Sequence, residues 1–313
     1  MPQDPSEYVS SIFKDGIFKD KVVFCTGGNG SICSGQVRAL VHLGANACIV
    51  GRNVEKTEGM AKDIATAREG AKVIGIGACD VRSMESVQKA VDTCVKELGR
   101  IDFCIAGAAG NFLAPMSQLS SNAFKTVIDI DLIGSYNCAK ACLPELVKAA
   151  KEHPTGESTV PSGRIIFISA TLHYGGTVLQ THAVAAKAGV DALSSQVCIE
   201  YGPLGITSNV ISPGPIGGTE GMDRLAKKAK EGTNPWKVIP SGRMGKVKDI
   251  ADATVYLFSD AANYVNGEVL VVDGGAWRTT STGRDFPYPD FLLEGGSVEG
   301  VGGMKKQKSG SKL

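Results

Sequence analysis

The sequence predicts an α/β protein, a single Rossmann-type doubly wound parallel sheet of about seven strands with helices on both faces. Three observations carry this. Short β-branched runs alternate with longer segments whose apolar residues recur three and four apart. The short runs are apolar almost throughout, as strands are when helices cover both sides of a sheet. A glycine-rich turn follows the first run and leads straight into a helical pattern.

Taken in order, the expected strands are residues 21–26, 47–51, 72–77, 101–106, 164–169, 206–211 and 268–272, with helices filling most intervals. Residues 152–162, rich in Pro, Gly, Ser and Thr, read as a surface loop, and the Gly- and Lys-rich end after residue 295 reads as a tail. No linker or internal repeat interrupts the pattern. One domain over residues 20–278 is expected, with extensions at 1–19 and 279–313.

Composition narrows the function. The 33 basic residues nearly balance the 32 acidic ones, so no global field draws nucleic acid or an anionic membrane, and any anion needs a local site. No apolar stretch reaches the roughly 18 to 20 residues that cross a bilayer, and the acidic start is unlike a signal peptide. Secretion and membrane insertion are not expected. The nine cysteines are odd in number and form no CxxC pair, which suits a reducing compartment. Cys138 and Cys142 share a helix face without a third ligand at metal spacing, so they read as core and no metal is expected.

Thr26, Gly27, Gly28, Asn29, Gly30, Ser31, Ile32 and Cys33 follow the first strand and open a helical stretch at 36–43. Small residues here let backbone amides approach a pyrophosphate. A tight strand-to-helix turn is the alternative use. At the end of the second strand stands Arg52, where NAD-selective sites commonly carry an acid. Arg52, with Lys56 near it, suits the 2'-phosphate of NADPH, unless it is an ordinary solvated charge. Asp80, after the third strand, is placed either to bind the adenine amino group or to begin a helix.

These residues, together with Ala106 to Gly110, Lys187, Pro213, Gly214, Pro215, Asp273, Gly274 and Gly275, resemble the short-chain dehydrogenase/reductase family over about residues 20–278. Within it, the runs at 107–112, 122–125, 129–131 and 214–221 are similar to the peroxisomal 2,4-dienoyl-CoA reductases, the fungal ones in particular. The resemblance implies an NADPH-binding reductase domain, peroxisomal location and a dimer or tetramer. It also implies reduction of 2,4-dienoyl-CoA to trans-3-enoyl-CoA in the breakdown of unsaturated fatty acids.

The departures from the family pattern bear on chemistry. Its usual Tyr-x-x-x-Lys would put Tyr four residues before Lys187, where this chain has Ala183; its catalytic Asn aligns with Asp131; and the later turn glycines align with Ser31 and Cys33. A carbonyl reductase would lack its phenolic acid. Hydride delivery to the far end of a conjugated diene needs none, because the charge spreads onto a thioester oxygen and the proton goes to carbon.

The resemblance therefore assigns Lys187 to the nicotinamide ribose and Asp131 to proton relay through water. It places Tyr174 at the thioester oxygen, with a pocket wall as its other use. Ser169 falls in the family's serine region, unless it only caps the strand end, and His182, one residue from the vacant Tyr position, is a candidate proton donor against packing or a helix N-terminal role. Pro213, Gly214, Pro215, Ile216 and Thr219 would line the cofactor, and the segment 222–230 would move as a lid over it. Arg82, Phe112, Ser120, Ser121, Asn122 and Arg224 match acyl-CoA-binding positions, against surface solvation for the arginines and core packing for Phe112.

Two other functions compete: reduction of a 2-enoyl-CoA or 3-oxoacyl-CoA on the same fold, the second disfavoured by Ala183, and cofactor binding without catalysis. Ser311, Lys312 and Leu313 end the chain in a tripeptide read by the peroxisomal import receptor. Removing these three residues is expected to leave reductase turnover intact while fluorescence microscopy finds the protein in the cytosol; unchanged import would contradict that address.

Overall fold

The computed structural model describes residues 3–152, 163–225 and 235–279. Its seven strands are β1 (Val22–Thr26), β2 (Asn46–Val50), β3 (Val73–Ile76), β4 (Phe103–Ala106), β5 (Gly163–Ile168), β6 (Ile206–Pro213) and β7 (Val269–Val272). They form one sheet in the order β3-β2-β1-β4-β5-β6-β7, parallel at every pairing. All seven expected strands are present, each within two residues of its predicted bounds.

Strand β1 is the hinge of this order. Val23 lies opposite Ala47 on one side and Phe103 on the other. The chain winds outward to β2 and β3, then returns across β1 to β4 and continues the other way. The C-terminal ends of β1 and β4 therefore part at a topological switch point, the place where doubly wound sheets bind ligands.

Helices α1 (Ser31–His42), α2 (Val54–Ala65), α3 (Met84–Leu98) and α4 (Ser121–Ile128) follow β1 to β4. Asn53, Ser83 and Ser120 cap α2, α3 and α4 by accepting amide hydrogen bonds from Lys56, Ser86 and Ala123. Helix α4 runs through a π-helical turn at Asp129–Ile133 into α5 (Gly134–Glu152). Short α6 (Leu172–Gly175), long α7 (Thr181–Tyr201), α8 (Glu220–Leu225) and α9 (Val247–Phe258) complete the described helices.

The sheet separates two apolar cores. One contains Val37, Leu40 and Val41 of α1 with Ile250, Val255 and Phe258 of α9; the other contains Val87 and Val91 of α3, Leu146 of α5 and Val190 of α7. Phe103 is held between Phe258, stacked at 4.6 Å, and Phe18, edge-on at 5.4 Å. The N-terminal extension packs against the domain: Tyr8 and Phe18 are buried, and Ser10 binds the Asp252 carboxylate through its amide and hydroxyl at 2.8 and 2.5 Å.

Eight cysteines are buried. Cys104 on β4 comes to 3.5 Å from Cys138, and the sulfurs of Cys104, Cys138 and Cys142 lie within 4.8 Å of one another. Sequence spacing showed two of these thiols together; the third arrives through β4. The expected loop at 152–162 beyond its first residue, the C-terminal extension with its tripeptide, and most of the expected lid lie outside the described residues.

Because Phe258 is stacked and buried between β4 and α9, Phe258→Ala is expected to lower the unfolding free energy by about 3–5 kcal/mol in urea titrations; a loss within about 0.5 kcal/mol would show that this stack is not a structural centre.

Candidate active site

The cofactor end is built by the turn after β1. Gly27 has φ +68°, and a Cβ there would stand 2.8 Å from the backbone of Ala108; a Cβ on Gly28 would stand 2.5 Å from that of Ile49. Both positions require glycine. Helix α1 begins at Ser31 rather than at residue 36, and no side chain caps it at Gly30. Its first amides open on the switch point, as anion sites at helix starts do. Asn29 braces the turn by donating a side-chain hydrogen bond to the Thr57 hydroxyl at 2.9 Å.

The substituted glycines are accommodated. The Cys33 sulfur lies 3.7 Å from the Gly107 carbonyl oxygen, and a Cβ on Gly107 would meet that sulfur at 2.3 Å. Gly107 has given up the volume that Cys33 occupies, so α1 still approaches β4. Ser31 accepts the Glu220 amide at 3.4 Å, tying the start of α8 to the turn.

At the end of β2, Arg52 is exposed and close enough to Asp80 to help lower the pKa of that carboxyl. Arg82 is the main cause of that lowering: its guanidinium binds both Asp80 oxygens at 2.6 to 3.0 Å. The residues expected at the adenine and at CoA thus engage each other. Lys56, the expected helper of Arg52, forms an ion pair with Glu220.

The chemical centre lies where the π-helical turn faces α7. Asp131 sits in that turn, 1% exposed, with Oδ2 3.2 Å from Lys187 Nζ and Oδ1 accepting the Gly110 amide at 2.7 Å. Burial pushes the Asp131 carboxyl above the ordinary carboxylate range, against the pull of Lys187. Lys187 is 7% exposed and donates to the Ile168 carbonyl at the end of β5, at 2.9 Å. Ser169 donates to the Lys187 carbonyl at 3.4 Å, so it supports α7. Asp129 points elsewhere, to Lys125 at 2.5 Å.

Sequence reasoning singled out Asp131 and Lys187 and missed the π turn. That turn inserts a residue into the helical ladder and is frequent at functional sites. The run Asp129-Ile130-Asp131 before Gly134 gives no recognisable signal for it.

Around the centre, Phe112 is half-buried and stacks on His182 at 4.3 Å, with planes 18° apart. Ala183, in the usual Tyr position, is buried and offers no polar group. Tyr174 on α6 donates to Asp191 at 3.3 Å and touches His173 and Trp277; burial first, then the nearby Asp191 charge, push its phenol up to about 12. His173 also contacts Asp191, at 2.8 Å. His173 Nδ1 and Asp191 Oδ1 are buried without a partner among the described residues, which marks this polar cluster as unfinished.

Pro213 ends β6, and a Cβ on Gly214 would stand 2.5 Å from that of Asp273. Ile216 is buried, and Thr219 links it to α8 by donating to the Ile216 carbonyl at 2.9 Å while accepting the Met222 amide at 3.2 Å. Ser120 caps α4, and exposed Ser121 and Asn122 form its first turn. The Arg224 side chain lies outside the described residues.

Comparison with known proteins agrees with this layout. The family model described as enoyl-(acyl carrier protein) reductase matches residues 27–276. A peroxisomal 2,4-dienoyl-CoA reductase of Saccharomyces cerevisiae, producing (3E)-enoyl-CoA, is 50% identical over 285 residues, covering 90% of this chain and 92% of its own. Its counterpart in Danio rerio is 41% identical and covers 86% of each chain. Among solved structures, levodione reductase superposes with a TM-score of 0.72 at 27% identity, over 83% of this chain and 99% of its own. The chain belongs to the short-chain dehydrogenase/reductase family, in the branch that the enoyl-(acyl carrier protein) reductase model describes.

Proposed function

We propose that this protein is an NADPH-dependent 2,4-dienoyl-CoA reductase that produces trans-3-enoyl-CoA in peroxisomal degradation of unsaturated fatty acids. The observation that carries the reading is a buried carboxyl paired with a buried lysine at the switch point, beside an alanine where a carbonyl reductase needs a phenol. The 50% identity to the yeast enzyme over nearly the whole chain supports the substrate class.

The residues present fit the cofactor. The turn at Gly27, Gly28, Asn29 and Gly30, with Ser31 and Ile32 opening α1, would hold the pyrophosphate; Arg52 would meet the 2'-phosphate and Asp80 the adenine. Pro213, Gly214, Pro215, Ile216 and Thr219 would wall the nicotinamide, and Lys187 would hold its ribose. When bound, NADPH supplies a hydride to the distal carbon of the diene.

The protein must then manage a dienolate. Its charge rests mainly on the thioester oxygen, which Tyr174 would meet by turning its hydroxyl from Asp191. Quenching requires a proton on the carbon next to the carbonyl. Asp131, whose burial favours the protonated form, would pass that proton through a water, and Lys187 would stabilise the carboxylate left behind. The double bond remains between the third and fourth carbons, as in the trans-3-enoyl product.

Phe112 would flank the acyl chain, while Arg82, Ser120, Ser121, Asn122 and Arg224 would face the CoA moiety. Arg82 can serve there by exchanging Asp80 for a phosphate, the better partner for an exposed guanidinium. Peroxisomal location would follow from import-receptor recognition of the C-terminal tripeptide, and the chain would assemble as a homodimer or tetramer.

Purified protein mixed with NADPH and a 2,4-dienoyl-CoA should consume the cofactor absorbance and the diene chromophore together; loss of neither would overturn the reading. In that assay Lys187→Ala is expected to reduce turnover by about 10²- to 10³-fold. Asp131→Ala should lower kcat by about 10²-fold with little change in NADPH affinity, and equal weakening of both would reject proton relay. Arg52→Asp should raise the KM for NADPH by about tenfold or more while sparing NADH; a parent protein indifferent between NADH and NADPH would refute the 2'-phosphate assignment.

A further inference from the structure

His182 opens α7 within the first turn, fully buried, and the reading above gives it no task. Its Nε2 lies 3.0 Å from the Phe112 carbonyl oxygen. A carbonyl oxygen only accepts, so Nε2 carries the proton. Nδ1 is then a bare lone pair in the neutral ring, buried and without a partner among the described residues. Burial holds the imidazole below its ordinary pKa, which agrees with the neutral form. An unmet buried acceptor is costly, and its natural complement is a donor that enters with the reaction.

The neighbourhood identifies that donor. The loop after β4 is gripped at two points with one residue between them: Gly110 donates to Asp131 at 2.7 Å, and Phe112 accepts from His182 at 3.0 Å. Asn111 between them is bound to Gln180 at 2.5 Å, and Ala114 to the Leu179 carbonyl at 2.9 Å. The loop is thereby strapped to the start of α7, with the Phe112 ring flat against the imidazole. Asp131 and His182 flank one stretch of backbone, Asp131 through Gly110 and His182 through Phe112. A water relaying the Asp131 proton would meet His182 across this loop.

We infer that His182 is a positioning residue for the protonation step, its Nε2–H fixing the Phe112 loop and its bare Nδ1 accepting a hydrogen bond from the water that relays the Asp131 proton. The balance is closed. The water gives one proton to the substrate carbon, receives the carboxyl proton of Asp131 in its place, and keeps its other hydrogen on Nδ1. Asp131 becomes the carboxylate beside Lys187, and solvent reprotonates it. The imidazole stays neutral throughout, so His182 orients the relay and is not itself the acid. The inference rests on the dienoyl-CoA reading and on Asp131 as relay.

Two amide variants separate the two ring nitrogens. The Asn amide reaches the Nδ1 position and can present an acceptor there; the Gln amide reaches the Nε2 position and can restore only the bond to Phe112. His182→Asn is expected to keep kcat within about threefold of the parent while raising the KM for the acyl-CoA. His182→Gln should keep KM but lose about tenfold in kcat, the worth of one hydrogen bond, with a larger solvent isotope effect on turnover. Equal losses in both variants, losses confined to KM, or a better Gln than Asn would overturn the inference.

NADPH binding, read by fluorescence, should be unchanged in either variant. Should a variant fail to fold, histidine-selective 15N NMR of the parent decides: a neutral Nε2–H ring with a hydrogen-bonded Nδ1 supports the inference, and an imidazolium or Nδ1–H ring overturns it. A parent that does not reduce a dienoyl-CoA refutes the functional reading instead, which keeps the two failures distinct.

Discussion

A carboxyl and an amine facing each other at 3.2 Å, both buried from solvent, set the terms for the rest of this molecule. Polar groups taken from solvent are expensive unless other partners complete their hydrogen bonds. Here the Gly110 amide completes Asp131, and the Ile168 carbonyl completes Lys187. Those partners come from the loop after β4 and the end of β5, so the pair exists only if the parallel sheet is in register. The π-helical turn supplies the last requirement by setting Asp131 within a continuous helix toward α7.

Seen this way, the fold divides the work. The C-terminal ends of β1 and β2 carry the glycine turn and the exposed Arg52, while β4, β5 and α7 enclose the buried Asp131 and Lys187. Segments between them are bonded across the gap: Ser31 to the Glu220 amide, Lys56 to Glu220, and the Phe112 loop to α7. The exposed Lys56 pair contributes little stability by itself, but it joins the cofactor end to the first turn of α8. The Tyr174 and His173 cluster, with its unmet polar atoms, joins α7 at Asp191, one turn after Lys187.

Much of this was legible in the residues. Largely apolar runs marked the strands, because a sheet buried on both faces leaves no room for alternation; β6, with Thr207, Ser208 and Asn209, departs from that rule. Lys187 could be read as buried from the alanines around it, and Asp131 from its family position. What remained hidden depended on tertiary neighbours. The earlier start of α1 follows from small residues that carry no helical periodicity. The π turn has no signature in Asp129 to Ile133. Cys104 joins two helical thiols from a strand 34 residues away, and the Asp80–Arg82 pairing leaves each residue's sequence-assigned ligand to compete with its neighbour.

The central claim is that electrons enter at the far end of the diene and the proton arrives next to the carbonyl. The most direct measurement is the position of label in product formed in D2O from NADPH deuterated at its transferable hydrogen. The account predicts the cofactor deuterium on C5 and solvent deuterium on C2, with the double bond between C3 and C4. Solvent deuterium on C4, with the double bond left between C2 and C3, would contradict it.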